Sequence, residues 1–129
     1  MKLYEQLLNE IKDNEITEEF QEIFETAESN GTFSLEDVEG ICRVFTDGVD
    51  DCGLFYSMIH AIERTYVNDK NGYLEAIVRG FSLNTNECSE WCTTVLTRVV
   101  NAGHGGYLSM LIGELEDDYN FMDVIDRFF

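Results

Sequence analysis

His60 and Glu63 come closest, among the residues of this chain, to a pair able to carry out acid–base chemistry. They lie three positions apart, so a helix would place both side chains on one face. An imidazole beside a carboxylate can transfer protons near neutral pH. The chain has no GxSxG or HExxH motif and no glycine-rich phosphate loop. The sequence therefore favours a polar pair on a helix surface and predicts that the protein is not an enzyme.

Calcium chemistry is the next possibility, because three acidic segments have the composition of calcium loops. They lie at 46–51, 67–72 and 114–118. The first is short, and the third has no glycine in register. In the second, placing Gly72 at the sixth loop position puts Val67 first and Val78 twelfth, where an EF-hand needs oxygen ligands. We therefore expect no calcium site.

The cysteines show neither a metal-site nor a disulfide pattern. No CxxC pair occurs, and the two histidines do not complete a zinc-ligand spacing. We expect free thiols, at least partly buried, in a protein with no metal and no cofactor. The cysteines are Cys42, Cys52, Cys88 and Cys92.

The net charge is -18 over 129 residues, from 26 acidic and 8 basic residues. A small soluble domain needs a net charge of only about 2–8 in magnitude, and like charges repel in the compact state. Residues 1–40 carry 12 acids and 2 bases, whereas residues 41–80 carry 6 acids and 4 bases. The excess indicates a positively charged partner. It argues against direct binding to nucleic acid or to an anionic membrane.

The elements that must position these residues are predicted to be helices. Apolar residues recur at helical spacing almost throughout, and proline is absent. The first of eight stripes contains Leu3, Leu7 and Ile11. The others start at Phe20, Leu35, Phe55, Leu74, Trp91, Leu108 and Phe121.

Local signals mark where the predicted helices begin and end. Thr17 and Asp51 are expected N-caps, and Ser34 forms a capping box with Asp37. Glycines at 31, 48 and 72 and the segment GHGG at 103–106 mark the breaks. Six glutamates wind around the second predicted helix and leave its apolar stripe for the core, which favours a solvated face. They are Glu15, Glu18, Glu19, Glu22, Glu25 and Glu28.

A short internal repeat suggests how the helices stack. The tripeptide GYL at 72–74 recurs at 106–108, a shift of 34 residues that also places Arg64 on Arg98. The predicted fold is all-α, with about eight helices as stacked antiparallel hairpins in a small HEAT-like α-solenoid. We expect one helical domain over residues 1–129. The N-terminus lacks a signal-peptide pattern, and no apolar run approaches roughly 18 residues, so we expect a cytoplasmic protein.

Four segments carry a family resemblance: LFYSMIHAIE at 54–63, GYL at 72–74, EW at 90–91 and RVVN at 98–101. Together they resemble immunity protein family 30 of bacterial polymorphic toxin and contact-dependent growth inhibition systems. The similarity covers roughly the last two thirds of the chain. The first forty residues match the family only in length and acidity.

The resemblance implies an inhibitor that binds the C-terminal domain of a cognate toxin. Many such toxins are nucleases with basic clefts, which an acidic protein can cap by stoichiometric electrostatic occlusion. The family does not identify the contacts. Acids of two predicted loops and the polar pair of the fourth helix are the candidate toxin-binding residues. They are Asp47, Asp50, Asp51, His60, Glu63, Glu116, Asp117 and Asp118.

Two other binding functions stay open. In a small helical adaptor, the charge would serve only solubility, and affinity for a partner would depend little on salt. A DNA-mimic inhibitor of a nucleic-acid-binding defence enzyme would space its carboxylates like phosphates along an elongated surface. The nearly balanced charge of residues 41–80 argues against the mimic.

Overall fold

The computed structural model describes residues 1–110, except positions 14, 32, 50, 51, 105, 108 and 109. Over these residues the chain is mostly helical, with one two-stranded sheet. The predicted all-α class is confirmed in this coarse sense. In chain order the elements are α1 (Leu3–Asn9), β1 (Ile11–Lys12), β2 (Glu15–Ile16), α2 (Glu18–Ser29), α3 (Leu35–Cys42), α4 (Cys52–Asn68), α5 (Lys70–Leu83) and α6 (Ser89–Asn101).

Side-chain caps begin two of the helices where the sequence predicts them. The Phe20 N–H donates to Thr17 Oγ1 at 3.3 Å and starts α2. At α3, the Asp37 N–H donates to Ser34 Oγ at 3.1 Å, and the Ser34 N–H donates to the Asp37 carboxylate at 3.4 Å. Each bond satisfies an N–H group that has no partner within its helix. The predicted cap Asp51 lies outside the described residues.

Ile11 does not continue the first helix, contrary to the prediction. The helix ends at Asn9, and Ile11 pairs antiparallel with Ile16 in the small sheet. Thr17 closes this hairpin, because its N–H and hydroxyl both donate to the Glu10 carbonyl, at 3.2 and 2.9 Å. Because Thr17, seven residues further along, binds the Glu10 carbonyl, the helix ends before Ile11, although the apolar spacing would allow it to continue.

The predicted break at Gly72 is also misplaced. Gly72 lies in the first turn of α5, and its N–H donates to Asp69 Oδ1 at 2.9 Å. Asp69 therefore caps the helix, and the break falls three residues earlier than the glycine indicates. Gly31 and Gly103 do lie just after α2 and α6, with φ of +124° and +93°, where glycine is the least strained residue.

Stacked and edge-on aromatic rings form the centre of the core. Phe45 lies past the end of α3, yet it is fully buried and has ring centroids of Phe55, Phe81 and Trp91 within 5.3–5.8 Å. Trp91, which begins the sixth apolar stripe of the sequence, is only 8% exposed and belongs to the core. These rings tie the loop after α3 to α4, α5 and α6.

Six helices occupy the described part of the chain. The seventh and eighth predicted stripes, which start at Leu108 and Phe121, fall outside the described residues. The solenoid arrangement and the single domain over 1–129 therefore stay predictions. Among the helices that are described, none has both the length and the apolar composition required to span a membrane.

Candidate interaction surface

Asp47 acts as a helix cap supplied from another part of the chain. Its carboxylate accepts from the backbone N–H groups of Glu90, at 3.1 Å, and Trp91, at 3.4 Å. Cys88 occupies the N-cap position of α6 but makes no side-chain cap bond. The Asp47 N–H also donates to the Glu87 carbonyl at 2.6 Å. This predicted contact residue therefore has a structural role, since it holds the start of α6 against the loop after α3.

Glu63 is bound by Arg98 rather than available as a free base. Arg98 Nε and Nη2 donate to its two carboxylate oxygens at 2.7 and 2.8 Å, a bidentate pair between α4 and α6. These hydrogen bonds raise the pKa of the Arg98 guanidinium. The exposed His60 lies at 3.8 Å through its Nδ1. The predicted pairing of His60 with an acidic neighbour is present, but the carboxylate is occupied by a permanent cation.

The remaining five predicted contact residues cannot be placed. Asp50 and Asp51 of the first predicted loop, and Glu116, Asp117 and Asp118 of the second, lie outside the described residues. Their proposed role stays a prediction.

The thiols whose side chains are described are free, as predicted: Cys42 and Cys92 are buried and Cys88 is half-buried. Burial raises the pKa of each, to about 12 for Cys88, where Asp47 and Glu87 add to the effect. They are therefore protonated, unreactive thiols near neutral pH. Within the described residues, no group of three or more His, Cys, Asp or Glu side chains is arranged to hold a metal ion.

His104 and Tyr107 attach the segment after α6 to the two preceding helices. The His104 ring packs edge-on to Tyr66 with centroids 5.5 Å apart, and its Nε2 hydrogen-bonds the Tyr66 hydroxyl. The Tyr107 hydroxyl donates to Glu75 Oε1 at 3.1 Å. Spacing along the sequence gave no sign of either contact, because 38 and 32 residues separate the partners.

Most bases in the described part of the chain are neutralised by a glutamate or lie against an aromatic ring. Arg43 lies 4.3 Å from the centre of the Tyr4 ring, and Lys70 lies 5.7 Å from that of Tyr66. The ion pairs are Lys2–Glu36, Arg64–Glu28, Arg79–Glu39 and Arg98–Glu63. The basic residues of α4, α5 and α6 thus reduce the field of the acids around them.

Helix α2 carries exposed acids that no described cation neutralises. No Lys or Arg occurs between Lys12 and Arg43 in the sequence. Two of the acids, Glu18 and Glu19, lie in the first turn, where they also favour the helix dipole. Glu22 and Glu25 lie further along and have no such structural reason for their charge. The sequence predicts a solvated face here. The absence of Lys and Arg between positions 12 and 43 was the signal in the sequence that this face holds uncompensated charge.

A family model described as Immunity protein 30 matches residues 5–105. The match runs from α1 past the end of α6 and covers well over half of the 129 residues. It begins at residue 5, so the likeness extends into the first forty residues, which the four short segments had not matched. Comparisons with curated proteins and with solved structures found no match. The chain therefore belongs to the immunity protein 30 family.

Proposed function

We propose that this chain binds the C-terminal domain of a cognate toxin, a basic nuclease, and neutralises it by stoichiometric electrostatic occlusion. The family match over residues 5–105 carries the proposal, because membership of an immunity protein family indicates a role in neutralising a toxin. The chemistry of the toxin and the electrostatic mechanism go beyond that match.

The net charge of -18 supports a basic target. A nuclease must hold a phosphate backbone, so its cleft presents Lys and Arg side chains. An acidic surface accelerates encounter with such a cleft and, once docked, excludes the nucleic acid substrate. No turnover is involved, so one inhibitor molecule is consumed for each toxin molecule.

The positions of paired and unpaired acids indicate which part of the surface would attract a basic partner most strongly. The acids of α2 that precede Glu28 have no cation among the described residues, whereas Glu28, Glu36, Glu39 and Glu63 are each bound to a base. A carboxylate that is already bound to a cation attracts a second cation less strongly. We therefore place the strongest attraction at α2, while the loop acids at 47–51 and 116–118 and the His60–Glu63 pair are further proposed contacts.

Bacterial contact-dependent inhibition supplies the setting for the proposal. The toxin domain is delivered from a neighbouring sibling cell and is bound in the cytoplasm before it reaches nucleic acid. The chain requires no cofactor for this role.

Co-expression with the toxin domain encoded beside this chain's gene tests the proposal. We expect growth to be rescued and a 1:1 complex to be recovered, with affinity that falls steeply as salt is raised. A toxin domain from an unrelated system is the specificity control. Toxicity that persists when this chain is present and folded would overturn the proposed function. Rescue through a complex insensitive to salt would reject the electrostatic mechanism and favour an adaptor-like apolar interface.

A further inference from the structure

A groove of about 370 Å³ runs between α1 and α2. Its floor is apolar and half-buried, because Leu3, Ile23 and Ala27 pack against the core but remain partly open to solvent. Polar side chains that can donate or accept hydrogen bonds surround this floor. The complete lining is Leu3, Gln6, Glu22, Ile23, Thr26, Ala27 and Asn30.

Glu22 brings an uncompensated carboxylate to the rim of this groove. No described cation pairs with it, and Glu19, one turn earlier on the same helix, is also exposed and unpaired. The chain thus places apolar surface and unneutralised negative charge side by side. That combination complements a Lys or Arg side chain, which has an aliphatic stem and a cationic head.

The two neighbouring grooves differ, because the carboxylates on their linings already accept a hydrogen bond or an ion pair from the chain itself. Between α2 and α4, a groove of about 260 Å³ has Glu28 on its lining, bound to Arg64 at 3.2 Å, and Glu25, which accepts from the Gln21 amide at 2.9 Å. Between α1 and α3, Lys2 and Glu36 line a third groove and pair with each other at 3.2 Å. Of the carboxylates that line these three grooves, Glu22 is the one without a described partner, so a cationic side chain is best accommodated in the α1–α2 groove.

We infer that the α1–α2 groove receives a lysine or arginine side chain projecting from the basic surface of the toxin domain. The aliphatic stem of that side chain lies on Ile23 and Ala27, and its cationic head meets Glu22 at the rim. This inference rests on the proposed function and adds to it a defined docking site. It locates the main contact on α2, away from the loops and the His60–Glu63 pair.

Two substitutions in the groove and two matched controls test the inference by titration with the toxin domain encoded beside this chain's gene. Glu22→Lys reverses the rim charge, and Thr26→Arg fills the groove with a cation; both residues are exposed, so the fold should tolerate them. Glu25→Lys makes the same charge change on the same helix but beside the α2–α4 groove. Thr93→Arg makes the same threonine change at an exposed position of α6.

Both groove variants should weaken binding by at least about tenfold, and Thr93→Arg by less than about threefold. Glu25→Lys makes the same change to the field of α2 but not to the groove, so it should weaken binding clearly less than Glu22→Lys. Circular dichroism establishes that each variant is folded. If either folded groove variant binds as tightly as the native chain, or if Glu25→Lys weakens binding as much as Glu22→Lys, the groove is not the docking site, although the proposed function stands. If the native chain itself does not bind the toxin domain, the proposed function fails and the inference fails with it.

Discussion

Asp47 caps a helix that begins more than forty residues later in the chain, and its removal should therefore affect stability even if the residue never contacts a toxin. We expect Asp47→Ala to lower the free energy of unfolding by about 1–2 kcal/mol, because two N–H groups of α6 lose their acceptor. Asp47→Asn should recover part of this loss, since its single amide oxygen can replace one of the two carboxylate acceptors. Urea unfolding followed by circular dichroism measures both. An unchanged midpoint for Asp47→Ala would show that the bonds do not stabilise the fold.

The buried thiols predict a loss of stability at alkaline pH. A thiol in the unfolded chain ionises near pH 8.5, whereas burial raises the pKa of Cys42 and Cys92 well above that value in the folded protein. Below pH 8 these thiols are protonated in both states and add no pH dependence. Above about pH 8.5 the unfolded chain loses protons that the folded chain keeps, so the free energy of unfolding falls by about 1.4 kcal/mol per pH unit for each thiol.

Urea titrations between pH 8 and 11 measure this slope. Cys92→Ala should reduce it by the contribution of one thiol, whatever the substitution does to stability at pH 7. A slope that is the same in Cys92→Ala and the native chain would contradict the protonated, buried state of this thiol.

In the candidate site, the sequence predicted a contact between neighbouring residues but not the contacts between residues far apart in the chain. Spacing correctly predicted that Glu63 lies beside His60, but the stronger partner, Arg98, is 35 residues away on another helix. The internal repeat aligned Arg64 with Arg98, yet Arg64 binds Glu28 and Arg98 binds Glu63. Non-local pairs of this kind depend on how helices pack, which local patterns do not encode.

At the scale of the helices, Gly80 allows α5 to approach α3 closely. A methyl group at this position would lie 2.6 Å from Cys42 Cβ and would also meet the Glu39 carbonyl oxygen, a backbone atom that cannot turn away. We expect Gly80→Ala to lower the free energy of unfolding by about 1–3 kcal/mol, even though alanine favours the helix by about 1 kcal/mol.

Urea unfolding again provides the measurement. Thr93→Ala, at an exposed position of α6, is the control for helix propensity and should leave stability unchanged or slightly higher. A Gly80→Ala protein as stable as the native chain would contradict the close approach of the two helices.

The starts of α2 and α3 were predictable and other helix boundaries were less so, for a physical reason. Thr17 and Ser34 cap their helices by accepting from an N–H group three residues further along, and this short spacing can be read from the sequence. The end of α1 depends on a hairpin that brings Thr17 back to the Glu10 carbonyl, so the apolar spacing alone carried the prediction too far, to Ile11. The Asp69 cap was missed because the nearby Gly72 was taken as the break.

At the scale of the whole molecule, charge was the most informative property of the sequence, and its arrangement became visible only in the fold. Composition gave a net charge of -18 but could not show which acids are neutralised internally. Ion pairs bind Glu28 of α2 and three acids of α3 and α4 to bases of other segments, whereas the acids of α2 that precede Glu28 have no cation among the described residues. Within the described part of the chain, the uncompensated negative charge is therefore unevenly distributed, which bears on where the proposed basic partner would be attracted.

Titration of the cognate toxin's activity with the purified chain tests the central claim most directly. Stoichiometric occlusion predicts that activity falls in proportion to added protein and reaches zero at one equivalent. Complete inhibition by a small fraction of an equivalent would instead indicate turnover by an enzyme. Activity that persists at a large excess of this chain would contradict a neutralising role.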